Sequence, residues 1–362
     1  MAGMYLVDMI SATVRSGDRM NGMSILESGR YQPLFRPSTG HDIMRLWWAL
    51  LLSGARLAAW WKCLAVTATA RSRAAIWTCL GTPRAIALCR YPFRFGRKAR
   101  QDRIRGRIWR SNLVRTVGVR VHVEPMRLEY PELVRRRLVL ESAVYHAEPA
   151  LIAMMQECAS RLESVTDELR SGGGIPVLAP FHFCSDVIAT TVVALMEPRR
   201  THVVAISAAG QYGSDEAAWY GKFATEIIRH HPGDPPVRLR TILRDLRTGT
   251  ANAVIFSDIL PQFTRGYLRH SMRTRNVTLF DRPARLHCGA GDLARMVGGT
   301  LVPFYVCWQH GRLGIRIFEP CHDNGDGNGL AHCLEQALRE CGDQWLLWHF
   351  PSLFYFNDGR AR

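Results

Sequence analysis

From about residue 131 to residue 341 the chain alternates short apolar runs with stretches of helical periodicity. Pro131 to Arg170 carries a helical pattern that breaks near Pro149, which predicts two helices. Strands are predicted at Ile175–Ala179, His202–Ile206, Ala253–Ser257, Asn276–Phe280, Thr300–Trp308 and Leu313–Phe318. Helices are predicted at Asp186–Met196, Ser214–His231, Arg238–Thr248, Gly289–Val297 and Gly329–Cys341. Strands separated by helical patterns give the fold class: α/β, a layered, mostly parallel sheet flanked by helices. Pro232 to Pro236 reads as a loop, Gln262 to Thr274 as a mobile basic loop and Asp323 to Gly329 as a turn-rich linker. The linker has the look of a calcium loop but lacks the terminal bidentate glutamate. There is no internal repeat.

The most informative stretch is Gly172 to Asp186, with the apolar run Val187 to Met196 behind it. It predicts a glycine turn, a buried strand, a sharp corner carrying His182, and a helix. Ser185 is placed to cap that helix, and Asp186 in its first turn suits the positive end of the helix dipole. A histidine and an aspartate at a strand-to-helix corner are the parts of a general base. The imidazole takes a proton from an attacking hydroxyl, and the carboxylate fixes its tautomer. The plainer reading is a loop-filling histidine beside an aspartate that only caps a helix.

The N-terminal part has a different character. Residues 1–40 show no clear periodicity and lack the basic segment and apolar core of a secretory signal, so they are expected to form a loosely ordered leader. Tryptophan pairs, Trp47-Trp48 and Trp60-Trp61, then bracket an apolar stretch, the pattern of residues at membrane interfaces. As a helix, Leu46 to Trp61 would be roughly 24 Å long. That falls short of a hydrocarbon core of about 30 Å, and Arg56 lies inside it. An interfacial or steeply inserted anchor is expected, with a buried amphipathic helix as the alternative. Between Arg84 and Arg120 twelve basic residues are opposed only by Asp102. Beside an aromatic anchor, this run is expected to meet anionic headgroups. No nucleic-acid recognition motif accompanies it, so no specific nucleic acid is implied. The expected division is thus 1–40 leader, 41–130 membrane-associated helical and basic segment, and 131–362 α/β domain.

Composition adds two constraints. Within 362 residues, 47 Lys+Arg face 31 Asp+Glu, for a formal charge of +16, and only Lys62, Lys98 and Lys222 are lysines. Arginine forks match phosphate and carboxylate, so anionic lipid, nucleic acid or an acidic carrier protein fit as partners. The ten cysteines are scattered, with no C-x-x-C pair and no zinc-site spacing, which implies reduced thiols and no structural metal.

In their order, these pieces resemble the lauroyl/myristoyl acyltransferases of bacterial lipid A biosynthesis, within the lysophospholipid acyltransferase superfamily. The likeness runs from about Met44 to Phe354. It rests on the N-terminal apolar helix, on Ser111-Asn112-Leu113 after the basic run, and on His182-Phe183 at a strand end. Leu243 to Gly249 and the strand Ala253 to Asp258 follow in the same order, then Val277 to Phe280, Ala290 to Ala294 and Gly299 to Pro303. Asp343 to His349 is similar to the family's C-terminal signature.

The resemblance implies direct transfer of a fatty acyl chain from an acyl carrier protein or coenzyme A thioester to a hydroxyl or amine of a lipid or glycolipid. It implies no metal and no redox cofactor, and a place on the cytoplasmic face of a bacterial inner membrane. His182 would be the general base, oriented by Asp186. Arg282 and Arg285 would bind a phosphate of acceptor or donor, and Asp258 would position the acceptor or pair an arginine. Cys184 would be a small buried filler. An acyl-chain groove would be lined by apolar residues of the helix after His182.

The sequence also departs from the family pattern. The acid comes three residues after the histidine rather than four, so Val187 holds the expected position. One residue on a helix turns a side chain by about 100°. Cys184 stands where the family has glycine, Asp281 displaces another glycine, and Phe350-Pro351 replaces basic residues. Two alternatives follow: a catalytically degenerate membrane-binding member, or an acyltransferase of the histidine-x-x-x-aspartate type acting on a secondary metabolite.

Overall fold

The structure is a computed structural model that describes residues 80–89, 97–118, 130–204, 223–230, 236–261, 272–322 and 327–350. All belong to one compact unit, Trp77–Arg362. The leader, the tryptophan-bracketed segment and the candidate calcium loop at 323–326 lie outside the described residues, as do most of the 262–274 loop and the Pro232–Pro235 loop.

Among the described residues four helices come first: α1 (Thr82–Leu88), α2 (Arg97–Val117), α3 (Tyr130–Tyr145) and α4 (Pro149–Ser171). Pro149 begins α4 where its missing N–H costs nothing, which is why the helical pattern divides there. Next come β1 (Pro176–Pro180), α5 (Asp186–Ala194), β2 (Arg200–Val204), β3 (Glu226–His230), α6 (Pro236–Arg247) and β4 (Asn252–Ile255). The chain continues through β5 (Thr274–Leu279), β6 (Arg282–His287), α7 (Gly289–Val297), β7 (Thr300–Gln309), β8 (Arg312–Ile317) and α8 (Asn328–Cys341). The described residues end with two short 3₁₀ turns, Gly342–Gln344 and Leu346–His349.

Six strands form one sheet in the order β3, β2, β4, β1, β7, β8. All neighbours are parallel except β7 and β8. β5 and β6 form a separate antiparallel hairpin, closed by Phe280 and Asp281 at φ 53° and 58°. Positive φ at both turn residues is the geometry of a tight two-residue hairpin.

Alternate residues of the central strands feed two cores. Val177, Ala179, Ala253, Ile255 and Leu301 face α6, α7 and α8. Leu178, Val254, Val302 and Phe304 face α4 and α5. Strands buried on both faces are what a covered parallel sheet requires. One glycine lets these layers close: a Cβ on Gly299 would lie 2.3 Å from the carbonyl oxygen of Ile175, where β7 starts beside β1.

Two expectations are corrected. Residues Glu226–His230, placed by sequence inside a helix from Ser214 to His231, form parallel strand β3 against β2. Asn276–Phe280 does not join the parallel sheet. It pairs with β6, which the sequence pattern missed because Arg282 and Pro283 open that strand on exposed positions. On the N-terminal side of residue 130, α2 packs on the C-terminal turns. The Trp109 indole N–H donates to the Trp345 carbonyl at 3.3 Å, and the Asn112 amide donates to the carbonyls of Trp348 and Phe350 at 2.8 Å each.

Candidate active site

The chain leaves β1 through α5 for β2, on one side of it. It leaves β4 through the hairpin and α7 for β7, on the other side. α5 belongs to one core and α7 to the other. The two connections therefore part over neighbouring strands β1 and β4, and open α/β sheets bind ligands outside the carboxyl ends of such a pair.

His182 follows β1 and Asp258 follows β4 at these carboxyl ends. His182 Nδ1 lies 2.7 Å from Asp258 Oδ1, and the His182 backbone N–H donates to Asp258 Oδ2 at 2.7 Å. The Trp345 indole N–H donates to the same Oδ2 at 2.7 Å. Asp258 is fully buried and satisfied by these three donors; no arginine is among them. A carboxylate only accepts, so Nδ1 carries the ring proton and Nε2 presents its lone pair. Nε2 makes no hydrogen bond among the described residues, and the side chain is 12 % exposed. The Phe256 ring packs beside the imidazole, centroids 4.3 Å apart.

Asp186, the acid expected to orient His182, does not make that bond. It opens α5, where Ser185 accepts from the Ile188 N–H as predicted, and its Oδ1 receives Arg137 of α3 at 2.5 Å. Arg137 also holds Glu141, which accepts from the Ser185 hydroxyl. Burial pushes the Asp186 carboxyl up, but Arg137, His182 and its own backbone N–H together hold it below its ordinary value. The Asp186 side chain thus ties α5 to α3.

The corner itself is tightly built. Cys184 adopts φ 45°, a left-handed conformation that favours glycine, and its N–H donates to the Gln344 carbonyl at 3.3 Å. Burial and the nearby Cys307 push its thiol far above the ordinary range. The expected apolar groove is not formed by α5. Its Ile188, Val192 and Val193 are consumed by packing on Leu178 and the α4 core.

Arg282 and Arg285 sit on β6. Arg282 is exposed, Arg285 donates to Asn276 at 3.2 Å, and no contact among the described residues joins either to His182. A concavity lined by Arg275, His287, Cys288, Cys321, His322 and Leu330 lies beside the same hairpin and shares no residue with the His182 site. Among the described residues no His, Cys, Asp and Glu cluster has metal-binding geometry.

The C-terminal segment is the part sequence reasoning undervalued. Trp345 pairs with Phe183 as an isolated antiparallel bridge, and the Leu346 N–H donates to the His182 carbonyl at 3.0 Å. His349 is locked by its Nδ1–H to the Leu346 carbonyl at 2.6 Å and by Tyr130, and burial lowers it to about 4. Its role there is structural.

No protein-family model matches the chain, and no curated protein matches it.

Proposed function

We propose that this protein is an acyltransferase. It moves a fatty acyl chain from an acyl carrier protein or coenzyme A thioester to a hydroxyl or amine of a lipid or glycolipid acceptor. The observation that carries this reading is the His182–Asp258 pair, with Nε2 open at the carboxyl ends of β1 and β4. In the proposed reaction Nε2 takes the acceptor's proton as its oxygen or nitrogen attacks the thioester carbonyl. The tetrahedral intermediate then expels the thiolate, which receives the proton back from His182. Asp258 offsets the charge that the ring carries between those two events. The order of motifs along the chain supports the same reading, with Asp258 taking the orienting role that the family pattern gives to an acid nearer the histidine.

The surface supports an anionic membrane as the place of work. Arg100, Arg103, Arg105, Arg107, Arg110 and Arg115 of α2 are exposed, and Ile104 among them is 52 % exposed. An apolar side chain ringed by guanidinium groups suits a headgroup interface. Among the described residues no helix is long and apolar enough to cross a membrane. Attachment through the cytoplasmic leaflet of a bacterial inner membrane is part of the proposal. Full-length protein should co-sediment with anionic vesicles and fail to do so when Arg100, Arg103 and Arg107 are changed to Glu; unchanged sedimentation would remove the membrane from the account.

The central test is transfer from a long-chain thioester to lysolipids and lipid A precursors, read by lipid mass spectrometry. His182→Ala should lower turnover by about 10²–10⁴-fold. Undiminished turnover would end the assignment.

A further inference from the structure

We infer that Trp345 is a positioning residue for the general base, acting through Asp258; this rests on the acyltransferase reading. Asp258 Oδ1 takes His182 Nδ1, but Oδ2 is shared by two other donors, the His182 backbone N–H and the Trp345 indole N–H, each at 2.7 Å. Removing the indole donor leaves a fully buried carboxylate oxygen with one partner fewer. A carboxylate orients an imidazole only if the carboxylate itself cannot rotate. The backbone bond alone leaves it a pivot, and the indole removes that freedom.

Trp345 is itself fixed from three sides. Its backbone bridges Phe183, the residue after the general base, and the next residue, Leu346, donates to the His182 carbonyl. Its own carbonyl accepts from the Trp109 indole of α2, and its ring packs at 4.6 Å on Trp348. These contacts around Trp345 thus reach both partners of the dyad, from 87 residues beyond Asp258.

The charged groups facing His182 are Asp258, after β4, and Asp186 at the start of α5, the latter paired to Arg137 of α3 and near Arg229 of β3. Trp345 touches only the first. Without its N–H, Asp258 loses a donor that stabilises its anion, so it holds the protonated imidazole more tightly and catalysis should need a higher pH.

The test compares Trp345→Phe with His202→Phe, which also deletes a buried ring N–H, but one whose partners are Asp245 and His230, not Asp258 or Trp345. Trp345→Phe should lower kcat about 10–100-fold with little change in KM, the loss expected for one hydrogen bond to a charged group. The acid limb of its pH–rate profile should move to higher pH. His202→Phe should lose stability while keeping the wild-type limb. Should Trp345→Phe not fold, Trp345→Tyr is read in its place, with the same shift of limb expected in reduced measure. Nitrogen-15 NMR of the His182 ring provides an arm independent of turnover: the wild type should show the Nδ1–H form, and the Trp345 variant should show exchange between ring forms. If wild-type protein transfers no acyl group but the ring forms differ in this way, the acyltransferase reading fails and the positioning role stands. An unchanged ring signal, or an unchanged limb and kcat, in the Trp345 variant overturns the inference.

Discussion

Among the described residues two histidines bond to carboxylates, and only one keeps a ring nitrogen open. His182, past the end of β1, uses Nδ1 for Asp258 and leaves Nε2 open. His202, inside β2, spends both nitrogens: Nε2 lies 3.1 Å from Asp245 of α6, and Nδ1 lies 2.9 Å from His230 of β3. His202 is fully buried, and burial lowers its affinity for a proton despite Asp245. Burial would push the Asp245 carboxyl up, but hydrogen bonds from Arg244 and His202 hold it below its ordinary value. The second set staples two strands and a helix. A histidine–aspartate bond therefore says little by itself; what separates catalysis from architecture is the state of the other ring nitrogen and its place at a strand's carboxyl end.

That contrast breaks if the two histidines behave alike. The largest expected difference is in turnover. His182→Gln should lose about 10²–10⁴-fold in kcat with little change in unfolding free energy, whereas His202→Phe should keep kcat per folded molecule. Equal losses of turnover would dissolve the distinction.

A third buried acid sharpens it, because it has no imidazole at all. Asp343 is buried, its Oδ1 finds no hydrogen-bond partner among the described residues, and burial raises it to about 7 although Arg136 is near. A carboxyl raised in the folded state binds a proton that the unfolded chain has already released. Its contribution to stability is therefore full below about pH 4 and is lost as pH rises through about 7. Asp343→Asn should thus gain on the wild type across that window, by on the order of 4 kcal/mol at most, with a constant difference above it. Urea unfolding at pH 5, 6, 7 and 8 checks this, and parallel curves would refute the raised, buried carboxyl.

The smaller effect concerns the stapling set. His202→Phe should cost about 2–4 kcal/mol in urea unfolding, because Asp245 stays buried with one partner fewer. His202 and Asp245 are both shifted downward, so the wild type should lose stability as pH falls below the imidazole range, and the variant should lose less. A variant as stable as wild type would make this set a bystander.

Local pattern carried much of this architecture. The Gly172–Asp186 stretch gave strand, corner, cap and helix in place, and Gly289–Val297 is the helix the periodicity predicts. β3 was hidden because Glu226, Arg229 and His230 break the apolar run that marks a strand, and only pairing with β2 makes one there. His182 was legible as a candidate base, but the carboxylate that bonds it was not. Asp186 is four positions away and Asp258 is 76, and nothing local reports that β1 and β4 lie side by side. Trp345 was read as part of a signature, yet its link to Asp258 exists only once the C-terminal turns dock on α2.

The exchange of one acid for another is the claim on which the account depends most. Acyl transfer by Asp258→Asn and Asp186→Asn, measured side by side over a pH range, tests it directly. Asp258→Asn should lose about 10³–10⁴-fold, the scale of an orienting carboxylate replaced by its amide, and Asp186→Asn should stay within about tenfold of wild type. Full transfer by Asp258→Asn, or a deeper loss in Asp186→Asn, would contradict the assignment of Asp258 as the partner of the general base.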